Sequence, residues 1–147
     1  MNLLFVDDEI ISVQGMLSGV RWEECGISQV YTALSAKEAR EVYEKEHIDI
    51  VLLDIEMPEE SGLSFLQWLR ERDPKRKIPC AFLTCHAEFR YATEAIKLGC
   101  MDYILKPVNY RNVEMLVIKM ALSIEEDSKT SRLAKYGELW FQEKVDE

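Results

Sequence analysis

An apolar run of four residues, Ile50 to Leu53, constrains the fold of this chain more than any other feature. A continuous apolar run of this length predicts a strand that is buried on both faces, as in a parallel sheet. The run ends in Asp54, and Pro58 and Gly62 punctuate the turn that follows it. Open α/β folds place their chemistry at the carboxyl ends of such strands, so Asp54 is the first candidate functional residue.

The whole chain alternates between short β-like runs and segments with helical spacing. The predicted strands cover residues 3–6, 29–33, 50–53, 81–84 and 102–105. The predicted helices cover residues 10–20, 35–46, 63 to about 73, 88–98 and 109–124. Ser35 and Glu38 form a capping box at the second helix, and Gly99 is placed to cap the end of the fourth. This alternation predicts an α/β fold, a doubly wound five-stranded parallel sheet with helices on both faces.

Composition excludes several classes of protein. The chain has 147 residues, of which 48% are hydrophobic and 31% charged, as expected for one globular domain. Its net charge of −9 makes it a poor candidate for binding the phosphate backbone of nucleic acid. The four cysteines show no CxxC or metal-ligand spacing, which favours reduced thiols in the cytosol. No signal peptide is present, and no run approaches the roughly 18 apolar residues that a membrane span needs.

Polar side chains stand at the ends of four of the five predicted strands. Asp7 and Asp8 follow the first strand, Asp54 the third and Lys106 the fifth, and Thr84 ends the fourth. Three carboxylates brought within a few ångströms repel one another, so at least one should have a raised pKa unless a cation joins them. Hard oxygen ligands that leave room for water suit Mg²⁺. The pattern therefore predicts one metal-assisted phosphoryl site.

In their order and spacing, these residues resemble those of the receiver domain of two-component response regulators. The resemblance extends over about residues 2–122. The resemblance implies a flavodoxin-like receiver fold with strand order 2-1-3-4-5. Residues 83–92 and 102–108 resemble receivers of the AraC-linked, YesN-like type, and residues 53–58 also suit receivers linked to LytTR-type domains. The resemblance implies a cytoplasmic regulator of transcription that reaches DNA only through an output domain outside these 147 residues, and that does not engage a membrane.

The resemblance also implies the role of each site residue. Asp54 would be the phosphoacceptor for a sensor histidine kinase. Asp8 and Asp54 would bind Mg²⁺, or Mn²⁺ in its place, with Asp7 acting through water and Glu56 through its backbone carbonyl. Lys106 would neutralise charge on the phosphoryl oxygens. The receiver would not be a turnover enzyme, but would catalyse its own phosphorylation and dephosphorylation.

The peptide bond between Lys106 and Pro107 is expected to be cis, as in the family. Thr84 and Tyr103 would form the switch, with the aromatic ring turning inward when the Thr84 hydroxyl moves to the phosphate. The output surface would be the face of the fourth helix, fifth strand and fifth helix, through which homodimers form. This surface would carry Arg90, Tyr91, Tyr103 and Tyr110.

The C-terminal part of the chain predicts a separate unit. Residues 1–124 would form the receiver, and residues 125–147 a helical tail or linker toward the output domain. Residues 125–132 are fully polar, and an apolar stripe follows, made of Leu133, Tyr136, Leu139, Trp140 and Phe141. A tail that folds back on its own domain is the alternative.

Other interpretations of the same residues stay open at this point. Asp7 and Asp8 can cap the first helix, Asp54 can cap a turn, and Tyr103 can be an ordinary core aromatic. By the same resemblance, Glu56 and His86 would flank the path by which water reaches the phosphoryl group. The carboxylate of Glu56 would either repel or orient that water. At the level of function, the alternatives are a stand-alone receiver that signals by protein contact and a phosphohydrolase with an aspartyl nucleophile.

Overall fold

The computed structural model describes residues 1–85 and 89–126, with the backbone alone at residues 89–91. His86 and the tail from residue 127 onward lie outside the described residues, as do the side chains of Arg90 and Tyr91. No helix within the described ranges is long and apolar enough to cross a membrane.

Five parallel strands form one sheet in the order β2-β1-β3-β4-β5. The strands are β1 (Asn2–Val6), β2 (Gln29–Ala33), β3 (Ile50–Asp54), β4 (Cys80–Thr84) and β5 (Asp102–Leu105). The strand order and the parallel direction confirm the fold predicted from the sequence. In this order β1 and β3 are neighbours. From β1 the chain crosses to β2 on one side, and from β3 it crosses to β4 on the other side, so the direction of the connections reverses between β1 and β3. Ligand sites of open α/β sheets form at such a point.

Helices cover both faces of the sheet. They are α1 (Ile10–Gly19), α2 (Ala36–Lys45), α3 (Gly62–Arg72), α4 (Phe89–Lys97) and α5, which runs from residue 110 to the last described residue, 126. The predicted capping box is present at α2, where Ser35 Oγ accepts from Glu38 N at 3.1 Å. The Glu38 carboxylate reaches back to Leu34 N at 3.2 Å. Gly99 follows α4 with a φ of +75°, a conformation that favours glycine.

The two faces of the sheet carry separate cores. Leu4 and Val6 of β1 pack with α2 and α3, whereas Leu3 and Phe5 of the same strand pack with α1 and α5. All five residues of β3 are buried because its successive side chains enter the two cores in turn. This burial on both faces explains why Ile50 to Leu53 shows no alternation of apolar and polar residues.

Contacts between α1, the segment after it and α5 determine where α5 lies. The Tyr110 ring packs on α1, where a Cβ added at Gly19 would stand 2.3 Å from Tyr110 Cε2. Tyr110 contacts α1 and is still 37% exposed, so its place on the output surface stays a prediction. Arg21 donates to the largely buried carboxylate of Glu114 from its backbone N at 2.9 Å and from Nη2 at 3.0 Å. These contacts hold the start of α5, and with it the segment that follows Lys106, against α1.

Candidate phosphoacceptor site

One ammonium group joins two buried carboxylates at the carboxyl edge of the sheet. Lys106 Nζ lies 3.0 Å from Asp7 Oδ2 and 3.1 Å from Asp54 Oδ2. Asp7 is completely buried and Asp54 is 2% exposed. Strand register explains the meeting, because Val6 pairs with Leu53, Asp54 with Leu83 and Thr84 with Leu105. Asp7 and Asp54 thus form one site with Lys106, although they precede it by 99 and 52 positions in the chain.

Each of the two buried carboxylates also accepts a hydrogen bond from nearby backbone. Asp7 Oδ1 accepts from Glu9 N at 2.9 Å, and Asp54 Oδ1 accepts from Glu56 N at 3.2 Å. The other oxygen of each group faces Lys106. The bond to Asp54 is the turn cap that the sequence offered as an alternative, and it coexists with membership of the charged site. The helix-capping alternative for Asp7 and Asp8 is wrong, because the cap position of α1 is Glu9 and no side chain of the described residues caps this helix. The backbone bonds orient both carboxylates toward the ammonium.

Asp8 completes a group of carboxylates that can hold a metal ion. One carboxylate oxygen each from Asp7, Asp8 and Asp54 lies within 4.8 Å of the others. Asp8 is half-buried, and it has no hydrogen-bond or ion-pair partner within residues 1–85 and 89–126. Hard carboxylate oxygens with one side open to water are the ligands that Mg²⁺ prefers.

The electrostatics of the site also fit a second cation. Burial raises the pKa of Asp54 to about 7, the charges of Asp7 and Glu56 act in the same direction, and Lys106 opposes them. Burial lowers the pKa of Lys106, but its hydrogen bonds and ion pairs with Asp7 and Asp54 outweigh this and raise it above its ordinary value. The Lys106 ammonium therefore does not offset the burial of Asp54, and a divalent cation at this edge would favour the ionised carboxylate further.

The Thr84 side chain contacts Glu56 at the same edge. Thr84 is buried, and its hydroxyl donates a hydrogen bond to Glu56 Oε1. The other carboxylate oxygen, Oε2, is buried and has no hydrogen-bond partner among the residues that the structure describes. Sequence reasoning assigned Glu56 a backbone role and a place beside the water path, and missed this contact. No local signal reveals it, because the two residues are 28 positions apart and on different strand ends.

Two further sequence predictions can be located. The peptide bond between Lys106 and Pro107 is cis. Tyr103 lies on the edge strand β5 and its side chain is 52% exposed. The interpretation of Tyr103 as a core aromatic is therefore wrong. In the described state its ring is turned outward, toward the groove between β5 and α5.

Gly62 supports the position of the Asp54 backbone. A Cβ at residue 62 would stand 2.2 Å from the Asp54 carbonyl oxygen, closer than any side chain can approach. Gly62 N also donates to Ile55 O at 3.1 Å, which closes the loop between β3 and α3. The sequence analysis treated this glycine as turn punctuation. In the fold, its missing side chain lets α3 begin directly against the end of β3.

The family model of the response regulator receiver domain matches residues 3–118. The chain belongs to this family. The receiver is 30% identical over 136 residues to the transcriptional regulatory protein YesN of Bacillus subtilis, a match that covers 90% of this chain and 36% of YesN. It is likewise 30% identical over 135 residues to the transcriptional regulatory protein LytR of Staphylococcus aureus, covering 91% of this chain and 53% of LytR. The receiver thus spans about a third to a half of the length of these relatives.

Solved receiver structures share the fold. The REC domain of AraT, a response regulator from Geobacillus stearothermophilus, superposes with a TM-score of 0.77 at 31% identity. The match covers 86% of this chain and 97% of the AraT domain. A two-component transcriptional regulator AraC from Clostridium phytofermentans reaches a TM-score of 0.78 at 20% identity, which supports the fold alone. The recognition of a receiver from the sequence is confirmed.

Proposed function

We propose that this receiver accepts a phosphoryl group on Asp54 from a sensor histidine kinase and thereby controls transcription through an output domain outside these 147 residues. The observation that carries the proposal is the Lys106 ammonium, shared by the buried carboxylates of Asp7 and Asp54. The similarity to YesN and LytR, whose names describe transcriptional regulators, supports the output. We also propose that the receiver is not a turnover enzyme and that it catalyses its own phosphorylation and dephosphorylation.

The chemistry follows from the arrangement of charges. An oxygen of the Asp54 carboxylate attacks the phosphorus of a phosphohistidine, the P–N bond breaks and an acyl phosphate forms. The imidazole leaves with the electron pair of that bond and takes a proton from solvent. Lys106 lies where it stabilises negative charge on the phosphoryl oxygens, which is most of what phosphoryl transfer needs from a protein. Hydrolysis of the acyl phosphate at the same site would return the receiver to its resting state.

We further propose that Asp8 and Asp54 hold Mg²⁺ directly, with Asp7 acting through water and the Glu56 carbonyl as a further ligand; Mn²⁺ can take the same ligands. When bound, Mg²⁺ would supply the positive charge that Lys106 alone does not provide. The half-buried, unpartnered carboxylate of Asp8 supports this assignment. Asp7 keeps its contact with Lys106, which restrains the ammonium beside Asp54.

The output surface is proposed on the face formed by α4, β5 and α5, where two copies would dimerise. A groove lined by β5 and α5 runs along this face. Tyr103, Leu105 and Met115 are exposed apolar residues that line the groove, and Ile118 and Leu122 of α5 are exposed as well. Thr84 and Tyr103 would be the switch that links this surface to Asp54.

The remaining assignments rest on family membership. Residues 1–124 are proposed as the receiver and residues 125–147 as a tail or linker toward the output domain. A cytoplasmic location is proposed because a receiver must meet the kinase domain and the DNA there. The four cysteines are free, in keeping with a reducing compartment.

Labelling of Asp54 tests the proposed function. Incubation with acetyl phosphate and Mg²⁺ should phosphorylate the wild-type receiver at Asp54, as located by mass spectrometry of tryptic peptides. Asp54→Asn should abolish the label. Asp102→Asn, which replaces an exposed aspartate on β5, should leave the label unchanged. Equal labelling of Asp54→Asn, or steady hydrolysis of phosphate esters by that variant, would contradict the assignment.

Stabilisation by Mg²⁺ tests the metal site. At 100 times its dissociation constant, Mg²⁺ should raise the free energy of unfolding of the wild type by about 2.7 kcal/mol. Asp8→Asn removes one carboxylate and should lose most of this gain, as measured by thermal denaturation with and without the ion. Asp102→Asn should retain it. A gain of the same size in Asp8→Asn would remove this residue from the ligand set.

A further inference from the structure

The hydrogen bond between Thr84 and Glu56 occupies the only proton that the Thr84 hydroxyl can donate. A threonine hydroxyl carries one hydrogen, so it cannot donate to Glu56 and to a phosphoryl oxygen at the same time. Contact between Thr84 and a phosphoryl group on Asp54 therefore requires the bond to Glu56 to break. Because the acceptor is a carboxylate, this bond is stronger than one between neutral groups.

The Glu56 carboxylate is held in this position at a cost. Its Oε2 atom is buried without a hydrogen-bond partner, although the residue as a whole is only half-buried. A buried carboxylate oxygen that lacks a partner loses its hydration without compensation. Rotation of the side chain toward water would restore that hydration, so solvent offers Glu56 an alternative position.

Glu56 is also close to the phosphoacceptor. Its backbone N donates to Asp54 Oδ1 at 3.2 Å, so the two residues share one turn at the end of β3. Phosphorylation replaces the single negative charge of the ionised Asp54 carboxylate by a phosphoryl group that carries up to about two. Besides burial, the charge of the Glu56 carboxylate acts to raise the pKa of Asp54, so the two groups repel each other, and the buried site screens this repulsion less than water does. The added charge therefore acts on the very group that accepts the Thr84 proton.

We propose that Glu56 is a positioning residue that retains the Thr84 hydroxyl in the unphosphorylated receiver and releases it when the phosphoryl group repels its carboxylate. The inference rests on the proposed function, in which Thr84 binds the phosphoryl group. The inference adds to that function a free-energy cost, the breaking of the bond between Thr84 and Glu56, that phosphoryl binding must exceed. Part of the free energy of phosphoryl binding is spent on breaking this bond, so the resting state is favoured until Asp54 is modified. The receiver's response is then set by a pair of residues, Glu56 and Thr84.

A double-mutant cycle on the 147-residue chain tests the proposal. The probe is the trifluoroberyllate anion with Mg²⁺, a tetrahedral mimic of the phosphoryl group, and its dissociation constant is measured by calorimetry. Glu56→Ala removes the acceptor and should tighten binding roughly tenfold, the equivalent of a charged hydrogen bond that no longer has to break. Glu56→Gln has nearly the same shape and keeps an oxygen acceptor, so it should tighten binding less than Glu56→Ala.

The Thr84→Val background separates retention of the hydroxyl from simple charge repulsion. Without the hydroxyl, Glu56→Ala should retain only the effect of removing a negative charge, which added salt reduces. The coupling between the two positions should therefore account for most of the tenfold change. If Glu56→Ala tightened probe binding equally in both backgrounds, the retention role would be overturned. Weaker Mg²⁺ binding by Glu56→Gln would also overturn it, because the Glu56 side chain would then be a metal ligand.

The proposed function can fail separately. If wild-type protein neither bound the probe nor accepted a label at Asp54, both proposals would be overturned together. If labelling and probe binding were normal but the two positions were uncoupled, the retention role alone would be overturned. In that outcome Asp54 would remain the phosphoacceptor.

Discussion

Replacing Lys106 by methionine is expected to lower the free energy of unfolding of the metal-free receiver by about 3–5 kcal/mol at pH 8. The ammonium is the cation that the structure places between the buried carboxylates of Asp7 and Asp54. Its loss leaves two like charges in a desolvated site, where their repulsion is weakly screened. Denaturant titration in the presence of a chelator measures the change.

Two variants control this result. Lys75→Met removes an exposed lysine far along the chain from the site and should change stability by no more than about 0.5 kcal/mol. Asp54→Asn in the Lys106→Met background removes one of the two repelling charges and should recover much of the loss. A Lys106→Met protein as stable as wild type at pH 8 would mean that Asp7 and Asp54 do not depend on the ammonium.

The stability of the metal-free receiver is expected to fall as pH rises toward 7, and Asp54→Asn should remove most of this fall. Burial raises the pKa of Asp54 from 3.8 to about 7 in the folded protein. Between these values the folded state retains a proton that the unfolded chain releases, so the folded state loses its advantage as pH increases. A shift of this size corresponds to about 4 kcal/mol.

The measurement is a series of unfolding curves between pH 4.5 and 8.5 with a chelator present. Above pH 7 the Asp54→Asn protein should be the more stable of the two, whereas near pH 4 the two should be similar. Saturating Mg²⁺ should flatten the wild-type profile, because a second cation favours the ionised carboxylate. A wild-type slope that Asp54→Asn leaves unchanged would place the titrating group elsewhere.

The strands were predictable because they belong to a parallel sheet that is covered on both faces. The predicted β2 and β5 have the observed bounds, and β1, β3 and β4 differ from the prediction by one residue at one end. Continuous apolar runs mark such strands clearly, and the residues that close them change abruptly to polar or charged types. Helix starts were predictable where a cap is local, as at Ser35, since a capping box lies within four residues.

The membership of the charged site was predictable for the same reason. Parallel strands bring their carboxyl ends to one edge, so Asp7, Asp54, Thr84 and Lys106 meet whatever their separation in the chain. What local patterns do not reveal is which atoms meet. The bond from Thr84 to Glu56, and the close approach of Gly62 to the Asp54 carbonyl, depend on how loops from different strands settle against each other.

The position of Tyr110 shows the same limit. Its place at the start of α5 predicted a position on the output surface, and the ring, although 37% exposed, also packs beside Gly15 and Gly19 of α1. These glycines lie more than 90 positions earlier in the chain. Helical periodicity predicts which face of α5 is apolar, but it carries no information about which neighbour covers each side chain.

By itself the sequence determined the doubly wound fold and the set of polar residues at the carboxyl edge, because apolar patterning and strand ends are local properties. The strand order was expected only from the resemblance to the receiver family. Only the tertiary structure decided how the charges at that edge are paired: one ammonium for two buried carboxylates, an unpartnered Asp8 and a threonine hydroxyl held by Glu56. Pairing of this kind depends on distances of a few ångströms and on exclusion of water, and both arise only when the chain is packed.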